Sequence, residues 1–295
     1  MNKFVVPLVI ALSSLAHAAA TCDRPCLKGF VDDYLAALEK HDPTHLPLAP
    51  HVRFTENSAT IKLGDGLWKT AGQTTYRLYL LDPDSGGAAL QSVIKENGAL
   101  SSFLLRLKIA DKKITEIETI LTRKNESNVF APEKLTAPDP LWAQVVPPAG
   151  RATREQLIAA ANAYFDAIET QSGNYKPAPF ASDCNRVENG GQTTNVPGPN
   201  GRAPMGCAEQ FDKKIFTWIP EVNDRRFPVV DPEHGVVLAI VMFGEPGGQP
   251  IPGSDKKRKR EATLLAEAFK VTGGKIHRIN AVMINRPYHS PTGWN

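Results

Sequence analysis

Four segments of this chain recur, in the same order, in its second half. Tyr34-Leu35-Ala36-Ala37-Leu38-Glu39 matches Tyr164-Phe165-Asp166-Ala167-Ile168-Glu169 at an offset of 130, and Thr55-Glu56-Asn57 matches Val187-Glu188-Asn189 at 132. Arg77 to Pro83 with Gly86 matches Arg226 to Pro232 with Gly235 at 149, and Lys113 to Ile117 matches Lys275 to Ile279 at 162. Colinear matches with growing offsets are an internal duplication whose second copy carries insertions, and two copies are too few for a solenoid. The 295 residues are therefore read as two similar domains, 22–128 and 153–290, with a tail at 291–295. Between the domains, 129–152 holds Pro132, Pro138, Pro140, Pro147 and Pro148 without apolar periodicity, the composition of a semi-rigid linker.

Each copy reads as a helix followed by strands. Leu27, Phe30, Val31, Tyr34, Leu35 and Leu38 form one apolar stripe at helical spacing, with Asp23 as the cap and Pro25 in the first turn. In the second copy Thr153 and Gln156 make a capping-box pattern ahead of Leu157, Ala161, Tyr164, Phe165 and Ile168. Alternating segments at 52–57, 60–63, 76–81, 89–95, 102–110 and 114–121, separated by turn residues, predict an antiparallel meander. The second copy adds a predicted helical stretch from Cys207 to Val222, with Phe211, Ile215, Trp218 and Ile219 at core spacing. A helix packed on a curved antiparallel sheet, twice in tandem, is an α+β architecture.

Residues 1–20 have Lys3, an apolar run from Phe4 to Leu15 and an Ala-rich end, the pattern of a cleaved secretory signal peptide. Thr21 before Cys22 argues against lipoprotein processing, and no later stretch is long and apolar enough to span a membrane. The expected location is secreted or periplasmic. Cys22, Cys26, Cys184 and Cys207 then suit two disulfides, with three pairings open and local pairing preferred, 22 with 26 and 184 with 207. Closing the longer loop would remove roughly 3 kcal/mol of unfolded-state entropy. A zinc site lacks closely spaced ligands, so no metal is expected. The charge, 34 basic against 31 acidic residues, excludes nucleic-acid binding as a default.

The helix ending Tyr34-Leu35-Ala36-Ala37-Leu38, the strand Arg53-Phe54-Thr55-Glu56-Asn57, the segment Leu63-Gly64-Asp65-Gly66-Leu67-Trp68 and the strand Ile114-Thr115-Glu116-Ile117-Glu118 resemble the nuclear transport factor 2-like (SnoaL-like) superfamily in tandem. The Thr-Glu-Asn and Gly-Leu-Trp motifs resemble one uncharacterised family of secreted bacterial and fungal proteins within it. The resemblance implies a cone of sheet wrapped by helices around an apolar pocket. The superfamily's members include isomerases, dehydratases, aldol cyclases and hydrolases, beside many without catalysis, so the fold does not supply the function.

The repeated pairs Glu56-Asn57 and Glu188-Asn189 are the first candidates: a carboxyl in an apolar cone would have a raised pKa, and an Asn could donate to an oxyanion. Their structural alternative is that both Asn residues start turns. Arg225 and Arg226, with Glu209 and Gln210, could hold an anionic substrate group or form a surface ion-pair cluster. His277 could shuttle protons, although either it or Arg278 must face outward. Tyr164, Trp218 and Trp68 could line a ligand site or simply pack. The run Lys256 to Arg260 reads as a solvated hairpin loop.

The expectation is an exported, cofactor-independent enzyme performing general acid–base chemistry on a small, partly apolar organic molecule, as a lyase, dehydratase or isomerase. Glu188, Asn189 and His277 are its expected catalytic residues. The alternative is a non-catalytic periplasmic small-molecule-binding or protein-interaction module. A homodimer through sheet faces is also expected from the superfamily.

Overall fold

Asp23 caps the first helix by accepting from the Cys26 amide, and the apolar stripe behind it forms α1 (Arg24–Glu39). A computed structural model describes residues 22–198, 201–251 and 255–294, so the leader expected at 1–20 lies outside the described residues. After α1 come β1 (Leu48–Glu56), β2 (Ala59–Thr60), β3 (Ala71–Asp82), β4 (Gly87–Glu96), β5 (Ala99–Ala110) and β6 (Lys113–Thr122). The second copy repeats this order with α2 (Arg154–Glu169), β7 (Phe180–Glu188), β8 (Gly191–Gln192), an added α3 (Cys207–Asp212), β9 (Glu221–Asp231), β10 (Val236–Glu245), β11 (Glu261–Thr272) and β12 (Lys275–Pro287). The capping box of Thr153 and Gln156 is formed. Both sheets have six strands, in the orders β2-β1-β6-β5-β4-β3 and β8-β7-β12-β11-β10-β9. Each is mixed, because β1 runs parallel to β6 and β7 parallel to β12. The molecule is thus two tandem α+β cones.

Strand alternation assigns each sheet to two cores. On β11, Leu265 and Phe269 pack under α2, whereas Leu264, Ala266 and Ala268 face the other sheet. On β5, Phe103 and Leu105 pack under α1, and Leu104 faces the other domain. A third core therefore lies between the sheets, built from Tyr76, Leu78, Leu80, Val229, Leu238, Ile240 and their neighbours. The sheet faces expected to make a homodimer are covered within one chain.

Reciprocal polar contacts lock this arrangement. Arg154, at the start of α2, grips Asp82 of the β3–β4 hairpin with two bonds of 2.9 and 2.8 Å. Arg24, at the start of α1, grips Asp231 of the β9–β10 hairpin at 2.8 and 2.5 Å. The segment after each last strand also crosses to the other domain. The Asn189 amide donates to Val129 O, while Trp294 donates to Thr55 Oγ1 and lies under Arg53, Arg106 and Arg226.

Two features differ from the sequence reading. The expected helix from Cys207 to Val222 stops at Asp212, where Lys214 turns at positive φ. The chain then enters β9 at Glu221, so Phe211 reaches the core from α3 and Ile219 from the connection that follows it. The proline-rich segment, read as a semi-rigid linker without a buried face, packs as well: it forms three short 3₁₀ turns, and Pro132, Trp142 and Val146 are buried. Its missing periodicity reflects anchoring by single residues instead of a helical or strand face. The disulfides are Cys22–Cys26 and Cys184–Cys207, the local pairing.

Burial opposes ionisation of Asp82, but the Arg154 fork, the Val230 amide and the Ser85 hydroxyl outweigh it and hold the carboxyl below its usual range. Asp82→Ala is expected to lower stability by about 3 kcal/mol by leaving Arg154 without its partner. The readout is a lower urea midpoint at unchanged m; an unchanged midpoint would show the pair contributes nothing. Because the folded-state pKa is depressed, the stabilisation is complete above the unfolded pKa and is lost as pH falls through the folded value. The gap between wild type and Asp82→Asn should therefore close in acid.

Candidate functional site

The second cone holds a cavity of about 640 Å³, a size suited to a small organic ligand. Its floor is set by three adjacent strands. Glu267 of β11 pairs with Ala281 of β12, and Ala281 pairs with Glu188 of β7. The two carboxyl-bearing residues are thus two strands apart, about 10 Å at Cα, with a small residue between them. Tyr164 and Ile168 of α2 and Phe243, Leu265 and Met283 of the sheet supply apolar wall. The Asn125–Val129 segment, from the end of the first domain, completes one side.

Glu267 is the most perturbed carboxyl on this wall. It is 1% exposed, and burial pushes its carboxyl up to about 8 against the opposing pull of Arg186. Its Oε1 meets the Tyr164 hydroxyl at 3.1 Å, and its Oε2 has no protein partner. Arg186 is buried beside it. That guanidinium pairs with Glu188 at 2.9 Å, donates to Gln210 and stacks on Phe216, while Nη1 has no protein partner. Buried polar atoms are normally paired, so the unpartnered Glu267 oxygen on the cavity floor marks a place for a polar ligand group. Nearer the mouth, burial pushes Glu245 up to about 7, with Thr263 as its hydrogen-bond donor.

The first cone has the same skeleton, filled. At the ladder position of Glu267 stands Leu105, paired with Thr119 as Glu267 is with Ala281. Phe54 occupies the position of Arg186. Arg123, which ion-pairs Glu96, stands where the second cone has Asn285, so Glu245 lacks the arginine that its counterpart Glu96 holds. Trp68 fills the interior and donates to the Tyr34 hydroxyl at 3.1 Å. Glu56 accepts from the Leu67 amide at 2.9 Å and crowds Gly66, whose φ of +63 a side chain would strain.

Of the residues read from the sequence, Glu188, Tyr164 and Trp218 line the cavity. Asn189 and Asn57 do not: both have positive φ, and both spend their amides on backbone, Asn189 on Val129 and Met283 and Asn57 on Leu121. His277 lies outside on β12, bonded to Asp183 at 2.6 Å, because its neighbour Ile276 takes the inward face. Arg225 binds Asp166 and Glu169 on α2, and Arg226 crosses to Glu118 of the first domain. Glu209 pairs with Lys213 on the surface, whereas Gln210 is buried and orients Arg186. Glu56 and Trp68 are packed in the first cone.

The sequence reading passed over Glu267, Glu245 and Arg186. Glu267 sits in Leu264-Leu265-Ala266-Glu267-Ala268-Phe269, and a lone carboxyl at an inward position of an apolar strand was the available signal. Among the described residues one group has metal-ligand geometry, Asp231, Glu233 and His234, but Arg24 already occupies both carboxylates.

A family model described as "Domain of unknown function (DUF8021)" matches residues 150–283, the region of the second cone. No curated protein matches. Among solved structures, a de novo designed protein with a curved β-sheet is 17% identical, covering 35% of this chain and 88% of that one, with a TM-score of 0.30. An NTF2-like protein of unknown function from Cytophaga hutchinsonii ATCC 33406 is 13% identical, covering 32% and 88%, with a TM-score of 0.28.

A carboxyl that keeps its proton in the folded state up to about pH 8 but loses it near 4.5 when unfolded makes folding less favourable as pH rises between those values. Glu267→Gln removes that term. Its Tm relative to wild type is expected to rise steadily between about pH 4.5 and pH 8 and to level off above. A pH-independent difference would mean Glu267 ionises normally.

Proposed function

We propose that the chain is an exported, NTF2-like acid–base enzyme whose working site is the second cone. The observation that carries this reading is Glu267: a carboxylic acid at the floor of an open cavity, protonated at neutral pH, with one oxygen lacking a protein partner. It can donate a proton to a carbonyl or leaving-group oxygen. The resulting carboxylate is met by the Tyr164 hydroxyl and the nearby positive charge of Arg186. Glu188, ion-paired with Arg186, is the proton acceptor on the other side of Ala281. A carboxylic acid and a guanidinium-paired carboxyl about 10 Å apart at Cα suit proton removal from carbon coupled to protonation of oxygen, the chemistry of a lyase, dehydratase or isomerase. The two disulfides are consistent with an oxidising compartment.

The test is mass spectrometry of metabolite mixtures incubated with the mature protein. A compound consumed by wild type should turn over about 100-fold more slowly with Glu267→Gln or Glu188→Gln. Its turnover by wild type should decline above about pH 8, where Glu267 loses its proton. Undiminished turnover in both variants would refute the assignment, and a compound retained unchanged by wild type would favour a binding module.

A further inference from the structure

The connection between β10 and β11 differs between the domains more than any strand does. In the first domain the matching hairpin, β4 to β5, turns through Asn97-Gly98, both at positive φ. In the second, residues 246–260 replace that tight turn, and the described part folds back on itself through Gly248 to Arg258 and Arg258 to Gln249 backbone bonds. This strap runs along the mouth of the open cavity, and Ile251, Lys256, Lys257, Arg258 and Lys259 form part of its wall. The insertion is thus confined to the cone that has a cavity, and it brings four consecutive cations to that cavity.

The strap is fixed from below. The Arg258 guanidinium lies 3.9 Å from the centre of the Trp218 ring, and Trp218 is itself held by a bond from its indole N–H to Ile215 O. Glu245 and Glu261 act on Arg258 through space, but among the described residues no carboxylate closes an ion pair with Lys257, Arg258 or Lys259. The acids on the wall cancel only part of this charge: Glu188 is tied to Arg186, Glu267 holds its proton, and Glu245 and Glu261 at the mouth face four consecutive cations. Behind the cationic mouth the lining turns apolar, with Trp218, Ile219, Phe243, Leu265 and Met283. Glu261 of β11, at the mouth, is six residues from Glu267 on the floor, about 20 Å along the strand.

We propose that the second cone takes an amphipathic anion, an apolar molecule bearing a carboxylate, with its body between the sheet and α2 and its carboxylate at the Lys256–Lys259 strap. This rests on the cone being the working site, but not on the chemistry at Glu267. An uncharged or cationic molecule of the same body would forgo the attraction at the mouth, and a fully polar anion would forgo the wall. The reacting part of the ligand is then the end remote from its carboxylate, since the strap and Glu267 lie at opposite ends of the cavity.

The test is calorimetric titration of the full mature protein with a panel of alkyl and aryl carboxylates, the matching alcohols and the matching quaternary ammonium ions. At least one carboxylate should bind about tenfold or more tightly than its alcohol, with affinity falling as salt is raised. The Lys257→Gln/Lys259→Gln variant, in exposed positions that make no described ion pair, should lose that advantage while binding the alcohol as wild type does. Glu267→Gln should keep it. Equal affinity for carboxylate and alcohol, tighter binding of the ammonium ion, an unchanged preference in the strap variant, or no carboxylate binding at all would each overturn the proposal. Loss of turnover in Glu267→Gln with no carboxylate preference would spare the acid–base reading and sink this one; the converse pattern would do the opposite.

Discussion

Arg24 and Arg154 open the two long helices, each at the first helical position, where the helix dipole disfavours a cation. Each finds compensation in the other domain, on an aspartate at the corner of a hairpin: Arg24 on Asp231 and Arg154 on Asp82. The crossed pairs do more than hold two ends together. They fix the angle at which the sheets meet, and so decide which residues of β3–β6 and β9–β12 are covered by the third core. Leu104, Ala266 and Ile240 are buried only because the opposite sheet is there. Each sheet therefore has two buried faces, which explains why its central strands are apolar on both sides instead of alternating.

Joining two cones back to back in one chain frees them to diverge. The first spends its interior on packing: Trp68, Phe54 and Leu105 are buried there, and Arg123 pairs with Glu96. The second replaces those fillers with Arg186, Glu267 and Asn285, polar groups that a packed core would not tolerate without partners. The cost of burying Glu267 and Arg186 falls on one half of a molecule whose other half and whose interface are conventionally packed. The dependence runs both ways, since Asn125 to Val129 of the first domain close one side of the second cavity.

The insertions of the second copy converge on the same place. Cys184–Cys207 pins the α3 region to β7, two residues from Arg186, and Gln210 of α3 then holds the Arg186 guanidinium. Residues 215–219 carry Trp218 to the mouth, where the β10–β11 strap lies on it. Extra sequence thus became a wall, a clamp and a rim around one cavity, while the first copy kept tight turns.

By itself the sequence determined the tandem architecture, because repeated stripes and strands at growing offsets admit few other readings, and it determined the helix caps, while the disulfide pairing was left open among three with the local one preferred. It also marked Glu188 and Tyr164, through their repetition as Glu56 and Tyr34. What it could not determine was the direction each polar residue faces once both sides of a strand are buried. Alternation then no longer separates core from solvent, so Glu267 read as an interruption in an apolar strand and His277 as an inward shuttle. Asn189 looked chemical because it followed Glu188, yet its amide is consumed by the crossing segment of the first domain. Which cone is open was likewise decided in three dimensions: Leu105 and Glu267, or Arg123 and Asn285, become comparable only when the strand ladders align them, since no local match in the sequence pairs those residues.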